Sequence, residues 1–312
     1  MQELHKISIG LPVFNGEKFL KKRIESILSQ TFTDFKLIIS DNASTDSTQK
    51  ICKEYLKTDN RISYIRQKKN IGIWENFNFV LQQANSEFFV WVAVDDLWLP
   101  EFLEKNFLIL KTDESLIGSI SKVSTKKIIP SKINSLNIDS NFYKFRQKIL
   151  NSIRNYDSIP LTKDYNKKVR TLLKNSPYVM LYSIFRTNVL KKSMIPRSFV
   201  ALDVALLLNL LKFGDIQVID QPLLERFPVG EGSKGILSLA KNQNRNKLGI
   251  IFPHYPITIW SMKNIGFKNF LKNIDHYILL NLGSEFFLII DVIRNLTSKN
   301  KKSNTLNNEV KM

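Results

Sequence analysis

Cysteine is almost absent. Cys52 stands alone in 312 residues, which excludes an internal disulfide framework and any thiolate metal cluster. It falls within a helical pattern and reads as a small core residue. Histidine is nearly as scarce, and His5, His254 and His276 are too far apart in sequence to give a zinc-ligand spacing. An apolar leader is lacking too: Met1 to His5 is polar, and the apolar stretch from Ile7 to Phe14 is short and contains Pro12. Such a chain is expected in a reducing cytoplasm, or at the periphery of the membrane's inner face. There is no internal repeat. Acidic residues are outnumbered 28 to 46 by Lys and Arg, a formal charge of +18. That excess favours polyanionic partners: nucleic acid, an anionic membrane surface or a diphosphate-bearing substrate. The lysines are spread along the chain, with no compact arginine-rich strip and no aromatics interleaved with arginine, so nucleic acid is not an expected partner. What the chain does have is apolar content, 43% hydrophobic and 11% aromatic, enough for a real core in one large domain with an appendage.

The first hundred residues alternate between two periods. Ile7 to Leu11 is a short apolar run ended by Pro12, a strand by its length, and Leu20, Ile24, Ile27 and Leu28 then recur at helical spacing after the Asn15-Gly16 turn. Phe35 to Ile39 is a second strand, stopped by Ser40-Asp41-Asn42. Ile51, Cys52, Tyr55 and Leu56 mark a second helix, entered through Asp46 with Gln49 three residues on, a capping-box pattern. Ile62 to Ile65 reads as strand three, Phe77 to Ala84 as helix three, and Phe88 to Val94 as strand four, ended by Asp95-Asp96. This β-α-β-α-β-α-β order predicts an α/β fold, a mostly parallel sheet with helices on both faces. Right-handed crossovers bring the strand ends to one edge, where ligands bind in such sheets. Pro12 to Asn15, Asp41-Asn42, Asn70 to Gly72 and Asp95-Asp96 all follow strands, so they converge on one rim.

Beyond residue 100 the pattern loosens. A helix is expected over Pro100 to Leu110, and strands over Leu116 to Val123, Tyr178 to Phe185 and Ile216 to Ile219. Further helices are expected near Phe142 to Ile153, at Val169 to Leu173 and at Val204 to Leu211, the last opened by Asp203. From Phe267 to Leu296 the apolar pattern is interrupted by Asp275, His276, Asn281, Glu285 and Asp291, which argues against a membrane-spanning helix. Two readings stand for it: a helix packed on the preceding domain, or an interfacial helix on a membrane, flanked by Lys263, Lys268, Lys272 and Arg294. The tail from Ser298 is polar and expected to be disordered.

Two adjacent carboxylates after a buried strand point to opposite sides and serve different partners. A hard cation, Mg²⁺ or Mn²⁺, is held by one or two carboxylates together with substrate phosphates, and it neutralises a diphosphate leaving group. The other reading makes Asp96 a cap for the helix near Pro100, or both aspartates solvated turn residues. Asp41 either meets a nucleobase or ribose, or makes a local turn bond with Ser44 or Thr45.

Here the sequence resembles a known family. The stretches ISIGLPVFNGEKFLKKRIESILSQTFTDFKLIISDNASTDST and NIGIWENFNFVLQQANSEFFVWVAVDDLWLPEFLE, between Ile7 and Glu104, are similar to the family-two glycosyltransferases of the GT-A fold. The likeness continues sparsely through SIFRTNVL and LDVALLLNLLKFGDIQVIDQPLLERFPVGEGS. The resemblance implies a GT-A domain over residues 1–235, with a nucleotide-binding half (1–110) and an acceptor half (111–235). A helical C-terminal segment (236–297) and the tail (298–312) follow. It implies that Pro12, Val13, Phe14 and Asn15 line the nucleotide pocket, that Asp41 bonds the base, and that Asn70 and Gly72 border the nucleotide. Asp95 then lies near the ribose or metal, Asp96 is a metal ligand, Arg226 faces the diphosphate with Lys234 a further candidate, and Asp203 is the general base. The implied donor is a nucleoside-diphosphate sugar, UDP-sugar foremost, and the implied acceptor a glycan or lipid-linked molecule. One residue departs from the pattern: Ala93 stands where many members carry the first aspartate of the acidic signature. The competing readings are a sugar-nucleotide-binding protein without catalysis and a nucleotidyltransferase. The latter wants a Gly-rich, Arg/Lys-bearing loop after strand one, where PVFNGEKF supplies only Gly16 and Lys18.

Overall fold

The computed structural model describes residues 5–125, 159–175, 178–226, 235–244 and 246–309. The expected helix near Phe142 to Ile153, Lys234 and the loop after Arg226 lie outside them. The chain divides into two compact units, one of residues 1–195 and 206–228, the other of residues 196–205 and 229–312. The second unit therefore takes in 196–205, ahead of the boundary expected at residue 235.

In the first unit the alternation of periods becomes β1 (Ile7–Val13), α1 (Glu17–Leu28), β2 (Phe35–Asp41), α2 (Thr48–Leu56), β3 (Ile62–Arg66), α3 (Ile73–Gln82) and β4 (Phe88–Trp91). There follow a two-residue β5 (Leu97–Trp98), α4 (Phe102–Thr112), β6 (Leu116–Thr125), α5 (Tyr165–Asn175), β7 (Ile184–Arg186), α6 (Thr187–Ser193), α7 (Leu202–Leu210, whose residues up to Ala205 are counted with the second unit) and β8 (Asp215–Arg226). The eight strands form one mixed sheet in the order β3-β2-β1-β4-β7-β6-β8-β5. β1, β2, β3 and β4 are parallel to one another, β6 is parallel to β8, and the pairings of β7 and β5 are antiparallel. This is an α/β sheet, parallel in its first half as expected and mixed beyond β4.

Alternate residues of the strands explain the layers. Ile7, Ile9 and Leu11, with Phe35, Leu37 and Ile39 and with Phe88 and Val90, form one buried cluster with Leu20, Ile24 and Ile27 of α1, Cys52 of α2 and Phe102 of α4. Burying each such side chain contributes about 1.5–3 kcal/mol. On the opposite face α3 lies close over β1. A Cβ at Gly10 would sit 2.6 Å from Phe89 Cζ and 2.7 Å from Val80 Cγ2, so only glycine fits there. Cys52 is fully buried, and burial pushes its thiol up to about 12, as befits an inert core residue.

Some local expectations are corrected. β1 runs through Pro12 to Val13. Gly10 O accepts from Val92 N, so the same-side N–H two residues on would point past the end of β4, and proline costs no ladder bond there. The capping box at Asp46 does not form. Asp46 accepts from Thr48 N and Glu17 N, while Gln49 Oε1 accepts from Arg66 Nη1. Tyr178–Tyr182 is a 3-10 turn, leaving only Ile184–Arg186 as strand, and β8 is longer than expected.

The second unit is helical: α8 (Ile236–Gln243), α9 (Lys247–Ile251), α10 (Tyr255–Asn264), α11 (Phe267–Lys272) and α12 (Ile274–Glu309). Val200, Ile236, Ala240 and Leu288 make its core, and Asn244 Oδ1 accepts from Val200 N at 3.0 Å, which is why 196–205 belongs here. Asp291 Oδ2 accepts from Leu237 N, placing a carboxylate at the positive start of α8. α12 continues past Ser298, where a disordered tail is expected. That stretch holds no Pro or Gly to stop it.

Candidate active site

The carboxyl ends of β1 and β2 are in register, Val13 opposite Asp41, and Asp41 is opposite Arg66 of β3. The loops that follow are stapled together by side chains. Asn42 N donates to Val13 O. Asn15 N donates to Ser44 Oγ, Asn15 Oδ1 accepts from Thr45 N, and Gly16 N donates to Thr48 Oγ1. Asn15 (φ 51) and Ala43 (φ 61) hold left-handed backbone, strain of the kind kept where surrounding bonds over-determine it. Asn42 serves the third loop: its Nδ2 donates to Asn70 Oδ1 at 3.0 Å and Gly72 O at 3.1 Å, and its Oδ1 accepts from Ile71 N at 2.8 Å. Gly72, at φ 100, supplies a conformation that L side chains rarely adopt. Pro12, Val13, Phe14, Asn15, Asp41, Asn70 and Gly72 are thus brought to one rim, with Phe14, Asn15 and Asn70 exposed on it.

Asp41 is fully buried. Its Oδ1 accepts from Ser44 N at 2.8 Å, and its Oδ2 accepts from Tyr64 OH at 2.8 Å and from Arg66 Nη1 at 3.4 Å. The Ser44 bond is the local turn contact. With no exposed area, the carboxylate presents nothing itself to a ligand in this conformation. The expectation of direct contact with a base gives way to a role in holding Tyr64, Arg66 and the Ser44 turn in place. Burial, and then the bond to Asp41, push the Tyr64 phenol up.

Asp95 and Asp96 follow β4 on the same rim, with Asp96 nearly buried and Asp95 half-buried. Arg226, at the end of β8, brings Nε to 4.0 Å from Asp96 Oδ1 and sets its guanidinium 5.8 Å from the Tyr182 ring centroid. Burial pushes the Asp95 carboxyl up, while the charges of Arg226 and Arg23 pull it back. Asp96 accordingly lies beside Arg226 in this structure.

Arg23 is the residue the sequence reading missed. It is fully buried on α1, its guanidinium 5.9 Å from the Trp98 ring centroid, and its Nε and Nη2 have no hydrogen-bond partner among the described residues. Burial pulls it down to about 10 against the opposing charges of Asp96 and Asp95. The signal was present: Arg23 falls between Leu20, Ile24 and Ile27 on the apolar stripe of α1, where a cation requires a buried anion. Two arginines therefore balance two aspartates.

Among the described residues no group of three or more His, Cys, Asp and Glu is gathered to cage a metal. Asp95-Asp96 is instead the kind of donor set that suits Mg²⁺ or Mn²⁺ when substrate phosphates complete the coordination. The residues present fit such an ion.

Asp203 lies in the second unit, in the first turn of α7 after Ala201 at φ 64, and its Oδ1 accepts from Val204 N at 2.9 Å.

A sheet whose carboxyl edge carries an acidic pair of this kind is matched by the family described as glycosyl transferase family 2, over residues 8–171. The chain belongs to glycosyl transferase family 2. Among the family's relatives, a GalNAc(5)-diNAcBac-PP-undecaprenol beta-1,3-glucosyltransferase of Campylobacter jejuni is 38% identical over 92 residues, covering 29% of this chain and 30% of that protein. TarS 1–349 of S. aureus, solved with UDP-GlcNAc, superposes with a TM-score of 0.55 at 17% identity, covering 88% of this chain and 78% of that one. Mannosyltransferase PcManGT of Pyrobaculum calidifontis, solved with GDP-Man and Mn²⁺, gives 0.54 at 14% identity, covering 95% and 76%. These two structures share the fold. The chain spans between 14 and 64% of the length of curated family 2 relatives it matches.

Proposed function

We propose that this chain is an inverting, divalent-metal-dependent glycosyltransferase. It moves a sugar from a nucleoside diphosphate, with UDP favoured, to a glycan or lipid-linked acceptor in cell-surface polysaccharide or glycolipid synthesis. The observation that carries the proposal is the pair Asp95-Asp96, set beside Arg226 on the rim where three strand-end loops are stapled. UDP-GlcNAc in TarS and the undecaprenol-linked substrate in the name of the Campylobacter relative support the donor and acceptor classes.

The nucleotide lies along Pro12, Val13, Phe14 and Asn15, bordered by Asn70 and Gly72, against a wall held from behind by Asp41. Asp96 and Asp95 would hold Mg²⁺ or Mn²⁺, and the ion would supply Lewis-acid neutralisation of the diphosphate leaving group. Arg226 turns from Asp96 to the diphosphate and orients it. Asp203 takes the proton of the acceptor hydroxyl. A carboxylate in the first turn of a helix is favoured as the anion, the form a base requires. Inversion follows from in-line attack opposite the leaving group.

One experiment separates these roles. Asp96→Ala should lower transfer and donor hydrolysis by at least about a hundredfold with the circular dichroism spectrum unchanged. Asp203→Asn should lower kcat by about 10²–10⁴ while donor affinity in a thermal-shift titration with Mn²⁺ stays the same. Wild-type turnover in the first variant sinks the metal assignment; a donor affinity that collapses with kcat in the second sinks the base.

A further inference from the structure

α12 has two faces of opposite fate. Tyr277, Ser284, Leu288 and Asp291 recur at helical spacing and are buried in the second unit. Ile278, Leu282, Phe286, Ile289, Ile293 and Leu296 recur at steps of three and four on the other side, and each is 53 to 63% exposed. At 1.5 Å per residue this apolar stripe is about 27 Å long. Fifteen of the twenty-three exposed large apolar side chains among the described residues belong to this unit, although it is the smaller one. An exposed apolar patch of this kind marks an interaction surface.

The unit that carries the stripe is cationic. Between Ile236 and Leu296 the sequence has seven Lys and Arg against three Asp and Glu, and Lys241, Lys247, Lys263, Lys268 and Lys272 are exposed. A second copy of the chain would bring like charge against like charge. An anionic surface is complementary to it, and acyl chains at the headgroup boundary accept the apolar side chains.

We propose that the second unit docks on an anionic lipid surface, with α12 lying in the interface plane and its outer stripe dipping into the acyl boundary. The stretch Ile274–Arg294 is long and apolar enough to cross a bilayer by length and composition, with mean hydropathy 1.5. It lies flat because crossing would strip its inner face from the core of the unit. The carboxylate of Asp291, which holds the start of α8 through Leu237 N, would then enter hydrocarbon. This inference stands on the second unit alone and is independent of the donor chemistry.

The test uses the full chain, vesicles of phosphatidylcholine with and without phosphatidylglycerol, and a variant carrying Leu282→Ser, Phe286→Ser and Ile289→Ser. The wild type should co-sediment with the phosphatidylglycerol vesicles and much less with pure phosphatidylcholine. High salt should weaken binding, and the triple variant should lower the partition coefficient at least about a hundredfold. Because the substituted side chains are exposed, the circular dichroism spectrum should be retained. Failure to bind phosphatidylglycerol vesicles overturns the proposal. So does equal binding by the folded triple variant, or a wild-type dimer in solution that the same substitutions dissociate. Should the triple variant not fold, Leu282→Ser alone, expected to weaken binding about tenfold, decides in the same way.

Discussion

A buried cation next to two carboxylates sets the electrostatics of the acidic pair before any metal arrives. Arg23 and Arg226 compensate Asp95 and Asp96, so the proposed divalent ion would enter against two positive charges. Arg226 has somewhere else to turn once a diphosphate is present, whereas Arg23 is locked under Trp98. Removing the fixed charge with Arg23→Met should therefore tighten Mn²⁺ binding roughly tenfold at pH 8, where the carboxylates are ionised, through the lost charge repulsion. Calorimetric titration of the nucleotide-free protein reads this directly. Unchanged or weaker Mn²⁺ affinity would show that Arg23 is a packing residue only. The acidic pair was legible from its place after an apolar strand. Its counter-charge showed only as a cation on the apolar stripe of α1; which anions it meets was not legible, because Arg23 is distant in the chain and reaches the pair only once α1 packs beside β5.

At the scale of elements, the rim depends on loops that hold one another. Asn42 ties the turn after β2 to the segment at Asn70 to Gly72 through three hydrogen bonds, one of them accepted from Ile71 N. Asn42→Ala should cost about 1–3 kcal/mol in chemical denaturation, since a partly buried N–H and an amide partner lose their bonds. The Michaelis constant for donor should rise more than kcat falls, because Asn42 positions the nucleotide border and not the reacting atoms. A selective fall in kcat would contradict this. The helices and strands of this half were readable because each run keeps one period long enough to be counted. The boundaries at Pro12 and Asp46 were misread because they hang on partners elsewhere in the sheet: the end of β4 for Pro12, and Glu17 for Asp46.

For the molecule as a whole, two units of different make-up predict two different responses to acid. Burial pushes the His254 imidazole in the second unit down to about 4. Its folded value lies below the ordinary 6.5, so the unfolded chain takes up the proton first. Stability is full above pH 6.5 and is lost as the pH falls toward 4, by up to roughly 3 kcal/mol. Trp260 is the only tryptophan of the second unit, so its own fluorine resonance in fluorotryptophan-labelled protein, resolved from those of Trp74, Trp91 and Trp98 and followed in urea melts between pH 7 and 4, reports that unit. His254→Asn should flatten the profile; an unchanged slope would assign the acid sensitivity to other groups.

The sequence by itself determined the parallel first half, the convergence of Pro12–Asn15, Asp41, Asn70–Gly72 and Asp95-Asp96 on one edge, and the family. Strand-helix alternation and right-handed crossovers leave little freedom in where those strand ends go. Only the tertiary structure decided that Asp41 is sealed behind Tyr64 and Arg66, that Arg23 stands under the acidic pair, and that residues 196–205 join the C-terminal helices. Each of these rests on contacts between residues remote in the chain. Burial and compensation of charge arise when elements pack, and no local pattern encodes them.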